Sequence, residues 1–157
     1  MLSRVLLKAF APLFFWVAHA AFRSAAFRHS ARKHRWVMST FRLAADVGYC
    51  RALSVYGYLL FLRGDSAQSK IQGGIYLEQA ARKGDMKAQY QMGKIYEEGF
   101  EFYFRADPAK ALHYYRSAAV QGHSLAITRL ADAAANGELG LQPDGEEARR
   151  WRALMPG

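Results

Sequence analysis

The side chains that could support chemistry in this chain do not form a catalytic or metal-binding pattern. Ser124 stands in the segment Gly122-His123-Ser124-Leu125-Ala126, which resembles a nucleophile turn. That turn requires a preceding strand, whereas a helical pattern precedes Ser124, so we expect this serine to cap a helix. His113 and His123 lack the spacing of paired metal ligands, and we expect both to be solvated or hydrogen-bonded surface residues. These residues predict no catalytic site and no bound metal.

The cysteine and glycine residues exclude several further kinds of functional site. Cys50 is the only cysteine among 157 residues, which excludes an internal disulfide and a multi-cysteine metal site. At the start of a predicted helix it is more typical of a small buried apolar residue than of a reactive thiol. The sequence contains no phosphate-cradling glycine loop. We therefore predict a protein that is not an enzyme and carries no cofactor.

The positive charge of the chain is concentrated at its N-terminus. The formal net charge is +9, yet residues 1–45 hold eight Arg or Lys and no acid. Residues 46–157 hold 14 Arg or Lys and all 13 Asp and Glu. The C-terminal part is therefore nearly neutral, and any partner chosen by charge, such as nucleic acid or an anionic membrane, would meet the N-terminal segment.

A repeated motif organises the rest of the chain. The pattern Ala-Ala-x-x-Gly-x-x-x-Ala occurs three times, at intervals of 36 and 38 residues. Its three copies are Ala44, Ala45, Gly48 and Ala52; Ala80, Ala81, Gly84 and Ala88; and Ala118, Ala119, Gly122 and Ala126. Other positions recur with the same period, namely Gly57 with Gly93, Gly99 with Gly137, and Tyr76 with Tyr114 and Trp151. A fixed period of this length indicates stacked supersecondary units.

Each repeat contains two predicted helices. Ala88, Met92 and Ile95 fall at helical spacing on one face, and Gly99 follows where that helix would end. The central motif glycine suits a left-handed backbone position after a helix, while the small alanines allow close packing of neighbouring helices. The predicted helices span residues 33–46, 50–63, 71–83, 87–98, 108–121, 124–136 and 144–154.

These residues resemble the Sel-one-like repeat family, a relative of the tetratricopeptide repeats, over about residues 36–153. The best matching segments are Ala88–Gly99, Asp107–Tyr115 and the loop Gly137–Asp144, whereas 64–73 lacks the family's Gly-x-Gly loop. The resemblance implies an all-α fold, a short right-handed superhelix of helical hairpins. On this basis residues 31–157 form the solenoid, with a half-repeat at 33–48 and units at about 50–85, 86–123 and 124–157.

The resemblance also implies a function. Proteins of this type commonly act as scaffolds in signalling or envelope-related assemblies, so we expect a protein or peptide partner. Some cysteine-rich members have been linked to hydrolysis of β-lactam-type compounds, but that subgroup depends on a pair of cysteines in each repeat. The single Cys50 argues against this activity.

Two surfaces are candidates for binding the partner. Where the resemblance leads us to expect a short turn, the chain has the longer aromatic segment Gly99–Ala106. Alternation would place Phe100, Phe102 and Phe104 on one side of it and Tyr103 and Arg105 on the other. Aromatic residues with an arginine are typical of binding hot spots, but the rings could equally fill the gap between repeats.

The second candidate surface is the concave face of the solenoid. Helical spacing places Gln91, Lys94 and Glu98 away from the apolar stripe of their helix, where they could face this groove. A solvated outer position is equally compatible with their spacing.

Residues 1–30 form an apolar and basic segment. The stretch from Ala9 to Ala18 is shorter than the roughly 20 apolar residues that a spanning helix needs. We expect a membrane anchor or interfacial helix whose basic residues contact lipid headgroups. These residues are Arg23, Arg28, Arg32, Lys33 and Arg35. The positive-inside rule would then leave the solenoid in the cytoplasm.

Four other interpretations of the N-terminus stay open. A signal peptide cleaved near Ala20 would give a secreted or periplasmic protein, and an Arg-rich, acid-free segment also fits a mitochondrial transit peptide. The segment could instead be a further solenoid helix that packs its aromatic residues on the helix at 33–46. Finally, Arg28 to Arg42 could bind nucleic acid in a salt-dependent manner.

Overall fold

The computed structural model of the chain describes residues 2–23 and 31–156, with side chains from residues 6–23 and 35–156. All regular elements in these ranges are helices, apart from one isolated antiparallel bridge. The helices are α1 (Leu2–Arg23), α2 (Ala31–Asp46), α3 (Cys50–Arg63), α4 (Ala67–Arg82), α5 (Met86–Glu98), α6 (Pro108–Ala119), α7 (Ser124–Asn136) and α8 (Gly145–Arg152). The chain divides into two compact units, Met1–Gln79 and Ala80–Gly157.

The three motif glycines end their helices in the same way. Gly48, Gly84 and Gly122 have φ angles of 83°, 91° and 89°, the left-handed region in which a Cβ is costly. In every copy the amide of the glycine donates a hydrogen bond to the carbonyl of the second motif alanine. The amide of the residue after the glycine donates to the carbonyl of the first motif alanine, and all six distances are 2.8–3.1 Å. This is the pattern of a helix C-terminus closed by a left-handed residue. The predicted left-handed turn is confirmed.

Small residues let the paired helices approach closely. The last alanine of each motif copy (Ala52, Ala88 and Ala126) is completely buried. Between α3 and α4 the backbones themselves touch, since a Cβ on Gly73 would lie 2.5 Å from the amide nitrogen of Phe61. A protein interior packed to this density has no space for an added methyl group. The hairpin of α3 and α4 therefore requires glycine at position 73.

In the N-terminal unit, α1 packs on α2. The ring of Phe15 is buried, with its centroid 5.6 Å from that of Phe41 and 5.4 Å from that of Tyr49. Several other large apolar side chains of α1, including Phe10 and Trp16, are exposed. The helix also contains a window, Leu6–Arg23, that is long and apolar enough to cross a membrane, a property shared by signal sequences and by buried core helices.

Two local predictions needed correction. α4 begins four residues earlier than predicted, because the Ser66 hydroxyl accepts a hydrogen bond from the Ser69 amide at 3.1 Å and caps the earlier turn. The prediction that Ser124 caps α7 was wrong. His123 is the capping residue, and its Nδ1 accepts a hydrogen bond from the Ala126 amide at 3.4 Å. The other predicted bounds agree with the structure to within two residues.

Gly73→Ala should lower the free energy of unfolding by about 2 kcal/mol, because the added methyl group collides with the α3 backbone. At an unobstructed helical site the same change would be neutral or favourable by up to about 1 kcal/mol. Gly145→Ala is the matched control, since a Cβ there meets nothing within 4 Å. Urea unfolding measures both variants. A Gly73→Ala protein as stable as wild type would contradict the close contact between the two backbones.

Candidate partner-binding site

The aromatic segment after α5 forms a small closed hairpin. The amide of Phe100 donates to the carbonyl of Phe104 at 2.7 Å, and the amide of Phe104 donates back at 3.0 Å. Glu101 opens the turn between them with φ of 50°, a costly backbone angle for a residue with a side chain. Beyond the hairpin, the Asp107 amide donates to the Tyr96 carbonyl at 2.7 Å. These bonds fix the segment against the end of α5.

The hairpin divides its aromatic side chains between interior and solvent. Phe104 is 2% exposed, and its ring centroid lies 6.0 Å from that of Tyr96 and 4.9 Å from that of Tyr103. Phe102, in the turn, is 93% exposed. The expected alternation, which placed Phe100, Phe102 and Phe104 on one side, was wrong because the chain reverses direction within the segment.

Phe104 therefore takes the packing role that the sequence left open. It joins a layer in which the ring of Tyr96 stacks on that of Tyr114, with centroids 5.8 Å apart. Phe102, Tyr103 and Arg105 remain exposed and could be contacted by a partner. The hairpin thus consists of a buried root and an exposed tip.

The residues predicted to lie away from the apolar stripe of α5 are at least partly accessible to solvent. Gln91 is half-buried, whereas Lys94 and Glu98 are exposed. Their spacing of three and four residues places them on one face of the helix. This face offers polar groups of both charges in the same unit as the exposed hairpin residues.

A cluster of polar side chains that the sequence did not reveal joins three helices. Arg129 of α7 donates from Nε to Glu97 of α5 at 3.0 Å and makes a second, shorter bond from a terminal nitrogen to the same carboxylate. Glu97 also accepts from the hydroxyl of Tyr115 in α6 at 2.6 Å. The other terminal nitrogen of Arg129 donates to Glu138 at 2.5 Å. The separation of 32 residues between Glu97 and Arg129 explains why no local pattern signalled the pair.

The cluster fixes the charge of its members. Burial alone would raise the pKa of Glu97, but the hydrogen bonds from Arg129 and Tyr115 outweigh it and hold that pKa below its ordinary value. The hydrogen bond to Glu97 raises the pKa of Arg129, and burial together with the same carboxylate raises the pKa of Tyr115. At neutral pH these groups form a fixed ion pair and not an acid–base pair.

The remaining predicted residues are placed as follows. Of the predicted lipid contacts, the side chains of Arg23 and Arg35 are exposed, whereas Arg28 and the side chains of Arg32 and Lys33 lie outside the described parts of the chain. His123 stacks on Tyr90 with ring centroids 4.4 Å apart, and burial lowers its pKa. Among the side chains that the structure describes, no group of three or more His, Cys, Asp or Glu is arranged to hold a metal ion.

Repeated helical hairpins closed by identical glycine turns define an α-helical repeat protein. The sequence profile of the Sel1 repeat matches residues 41–85, 87–123 and 124–151, which is most of the chain. The chain therefore belongs to the Sel1 repeat family. The predicted resemblance and the predicted α-solenoid fold class are confirmed.

Solved structures of repeat proteins resemble this chain. A Sel1 repeat protein from Oxalobacter formigenes matches with a TM-score of 0.72 and 28% identity over 87% of this chain and 55% of that one. A protective antigen of uropathogenic Escherichia coli with an SLR fold gives 0.78 and 28% over 92% of this chain and 30% of the antigen. An immunity protein from Pseudomonas aeruginosa shares the fold at 23% identity and a TM-score of 0.61, over 96% of this chain and 57% of that one.

The chain spans roughly a third to three fifths of the length of these structures. No curated protein matches its sequence. Sel1 repeats are generally protein–protein interaction modules without catalytic activity.

Replacing Phe104 and Phe102 in separate variants should distinguish the buried ring of the hairpin from the exposed one. Phe104→Ser should cost about 3 kcal/mol or more of unfolding free energy, since it removes a buried ring and introduces a hydroxyl. Phe102→Ser should change it by less than about 0.5 kcal/mol, because the ring already faces solvent. Urea unfolding followed by circular dichroism measures both. Equal effects of the two changes would contradict this division of the hairpin.

Glu97→Gln should destabilise the protein by about 2 kcal/mol at neutral pH, because the partly buried Arg129 loses one of its two carboxylate partners and keeps only the more exposed Glu138. A carboxylate whose pKa is lowered by folding stabilises the protein above the pKa of the unfolded chain, and this contribution is lost as the pH falls through the folded pKa. The difference between variant and wild type should therefore shrink as the pH falls below the ordinary pKa of a glutamate and the Glu97 carboxylate becomes protonated. Glu98→Gln, at an exposed position, is the control. A difference that does not vary with pH would contradict the assignment.

Proposed function

We propose that this chain is a non-catalytic scaffold that binds another protein and is held at a membrane by its N-terminal helix. The observation that carries the protein-binding half is the exposed Phe102 at the tip of a hairpin whose root is buried. The Sel1 repeat fold supports this proposal, because its members generally serve as interaction modules.

The geometry of the hairpin suits an anchor residue. A phenylalanine that leaves water on binding contributes up to about 3 kcal/mol from its apolar area. The two backbone bonds between Phe100 and Phe104 fix the loop in advance, so little conformational entropy is lost when a partner closes over it. Tyr103 and Arg105, also exposed, provide hydrogen-bonding groups around the apolar tip. Aromatic residues and arginine are the most frequent hot-spot residues of protein interfaces.

The charge and hydropathy of the N-terminus support the membrane half. Residues 1–45 carry eight basic residues without an acid, and α1 exposes several large apolar side chains. An apolar helix with basic neighbours is attracted to anionic lipid surfaces. The positive-inside rule favours a repeat domain on the cytoplasmic side.

Retention of α1 is favoured over cleavage near Ala20. Cleavage there would remove Phe15 and Ala18, both buried in the N-terminal unit, and would expose the rings of Phe41 and Tyr49. A segment that supplies part of a core is costly to lose. A secreted form would therefore have a damaged N-terminal unit.

Phe102→Ser should abolish capture of the partner without unfolding the chain. Full-length wild type and variant would be immobilised and exposed to a detergent extract of the cells that make the protein, and retained proteins quantified by mass spectrometry. We expect at least one protein to fall roughly tenfold or more with Phe102→Ser, the loss expected for a hot-spot aromatic residue. Val120→Ser, which changes another exposed apolar residue, should retain it. Identical retention by both variants would contradict the proposed contact site.

A further inference from the structure

Helix α1 has two apolar faces on opposite sides. The buried face, which packs in the N-terminal unit, consists of Ala11, Phe15 and Ala18. The second face is exposed and consists of Leu6, Phe10, Leu13 and Val17. Both sets follow the helical spacing of four and three residues, and they are offset by five positions, which is about 140° around the helix. The helix is thus fully packed on one side and apolar towards solvent on the other.

The rim of the exposed face is basic on the side of Trp16. Arg23, seven residues after Trp16 and therefore on the same side of α1, is exposed, and the guanidinium carbon of Arg51 lies 5.4 Å from the centre of the half-exposed Trp16 ring. The sequence of residues 1–45 contains no acidic residue that would oppose these charges. A second copy of this chain would bring a like-charged rim against them, whereas anionic lipid headgroups would neutralise it. Charge complementarity therefore favours an anionic membrane as the occupant of the exposed face.

The partner of the buried face limits how α1 can meet that membrane. α2 exposes charged side chains, among them Arg35, Arg42 and Asp46. If α1 crossed the bilayer with this packing intact, α2 would be carried into the hydrocarbon together with these charges, which is strongly unfavourable. A helix lying in the plane of the interface instead buries one apolar face and leaves the opposite face in contact with protein.

We infer that α1 lies parallel to the surface of an anionic membrane, with Leu6, Phe10, Leu13 and Val17 in the boundary between headgroups and acyl chains and α2 on the water side. This inference rests on the membrane half of the proposed function and specifies its geometry. Trp16, beside the exposed face, lies at the headgroup level, where tryptophan is enriched in membrane proteins. Arg51 and Arg23 reach lipid phosphates from the rim.

The test uses the full chain with Trp36→Phe and Trp151→Phe, so that Trp16 alone reports on depth. The protein is mixed with vesicles of phosphatidylcholine, with or without phosphatidylglycerol. We expect binding only to the vesicles that contain phosphatidylglycerol, and weaker binding as salt is added. Trp16 fluorescence should be quenched most by lipids brominated close to the headgroup, and a carbonate wash should release the protein.

Matched variants identify the face that binds. Leu13→Ser together with Val17→Ser should weaken vesicle binding roughly tenfold or more. The two variant side chains are polar, so the apolar area that leaves water on binding is smaller. Val120→Ser together with Leu125→Ser, which changes exposed apolar residues of the C-terminal unit, should bind like wild type. Both double variants change exposed positions, and circular dichroism should show unaltered helix content.

The other outcomes separate the inference from the proposal beneath it. Strongest quenching at the methyl end of the acyl chains, or retention through the carbonate wash, would show a spanning helix and overturn the in-plane geometry while leaving membrane attachment intact. Failure of the wild type to bind any vesicle would overturn both. Loss of self-association in the Leu13 and Val17 variant, in sedimentation without lipid, would assign the face to a second copy and overturn the inference.

Discussion

Close approach between paired helices is the constraint on which the rest of this structure depends. A Cβ on Gly93 would lie 2.6 Å from the ring of Tyr115, so only glycine lets that ring rest on α5. In this position the Tyr115 hydroxyl reaches Glu97, which in turn holds Arg129 of the next repeat. A small residue chosen for packing thereby sets the position of an ion pair that joins three helices.

Tight packing also fixes the positions of the exposed apolar groups. A loosely attached aromatic loop would lose much of its binding energy to ordering, whereas the hairpin of Phe100 to Phe104 is closed by backbone bonds and rooted in a buried ring. In the N-terminal unit, the packing of Phe15 fixes which face of α1 is turned outward. Both exposed features are thus consequences of what is buried beside them, and both are suited to binding other molecules.

The features that the sequence predicted well are those encoded locally. The glycine turns and the α-helical repeat follow from residues within a few positions of one another, so the period alone indicated them. The cap supplied by Ser66 and the reversal at Glu101 depend on single turns that the repeat pattern does not specify. The pair of Glu97 and Arg129 depends on tertiary packing across 32 residues, and so does the division of α1 into a packed and an exposed face. A sequence pattern alone contains no information on these distant partners.

Photo-crosslinking in living cells tests most directly whether this repeat protein binds a partner through its hairpin. A photoreactive phenylalanine analogue would replace Phe102 in the full chain, and in a second version Val120, which is also exposed. We expect one discrete adduct with another protein from position 102, recovered with the membrane fraction, and none from position 120. Absence of an adduct at 102, or the same adducts from both positions, would contradict this expectation.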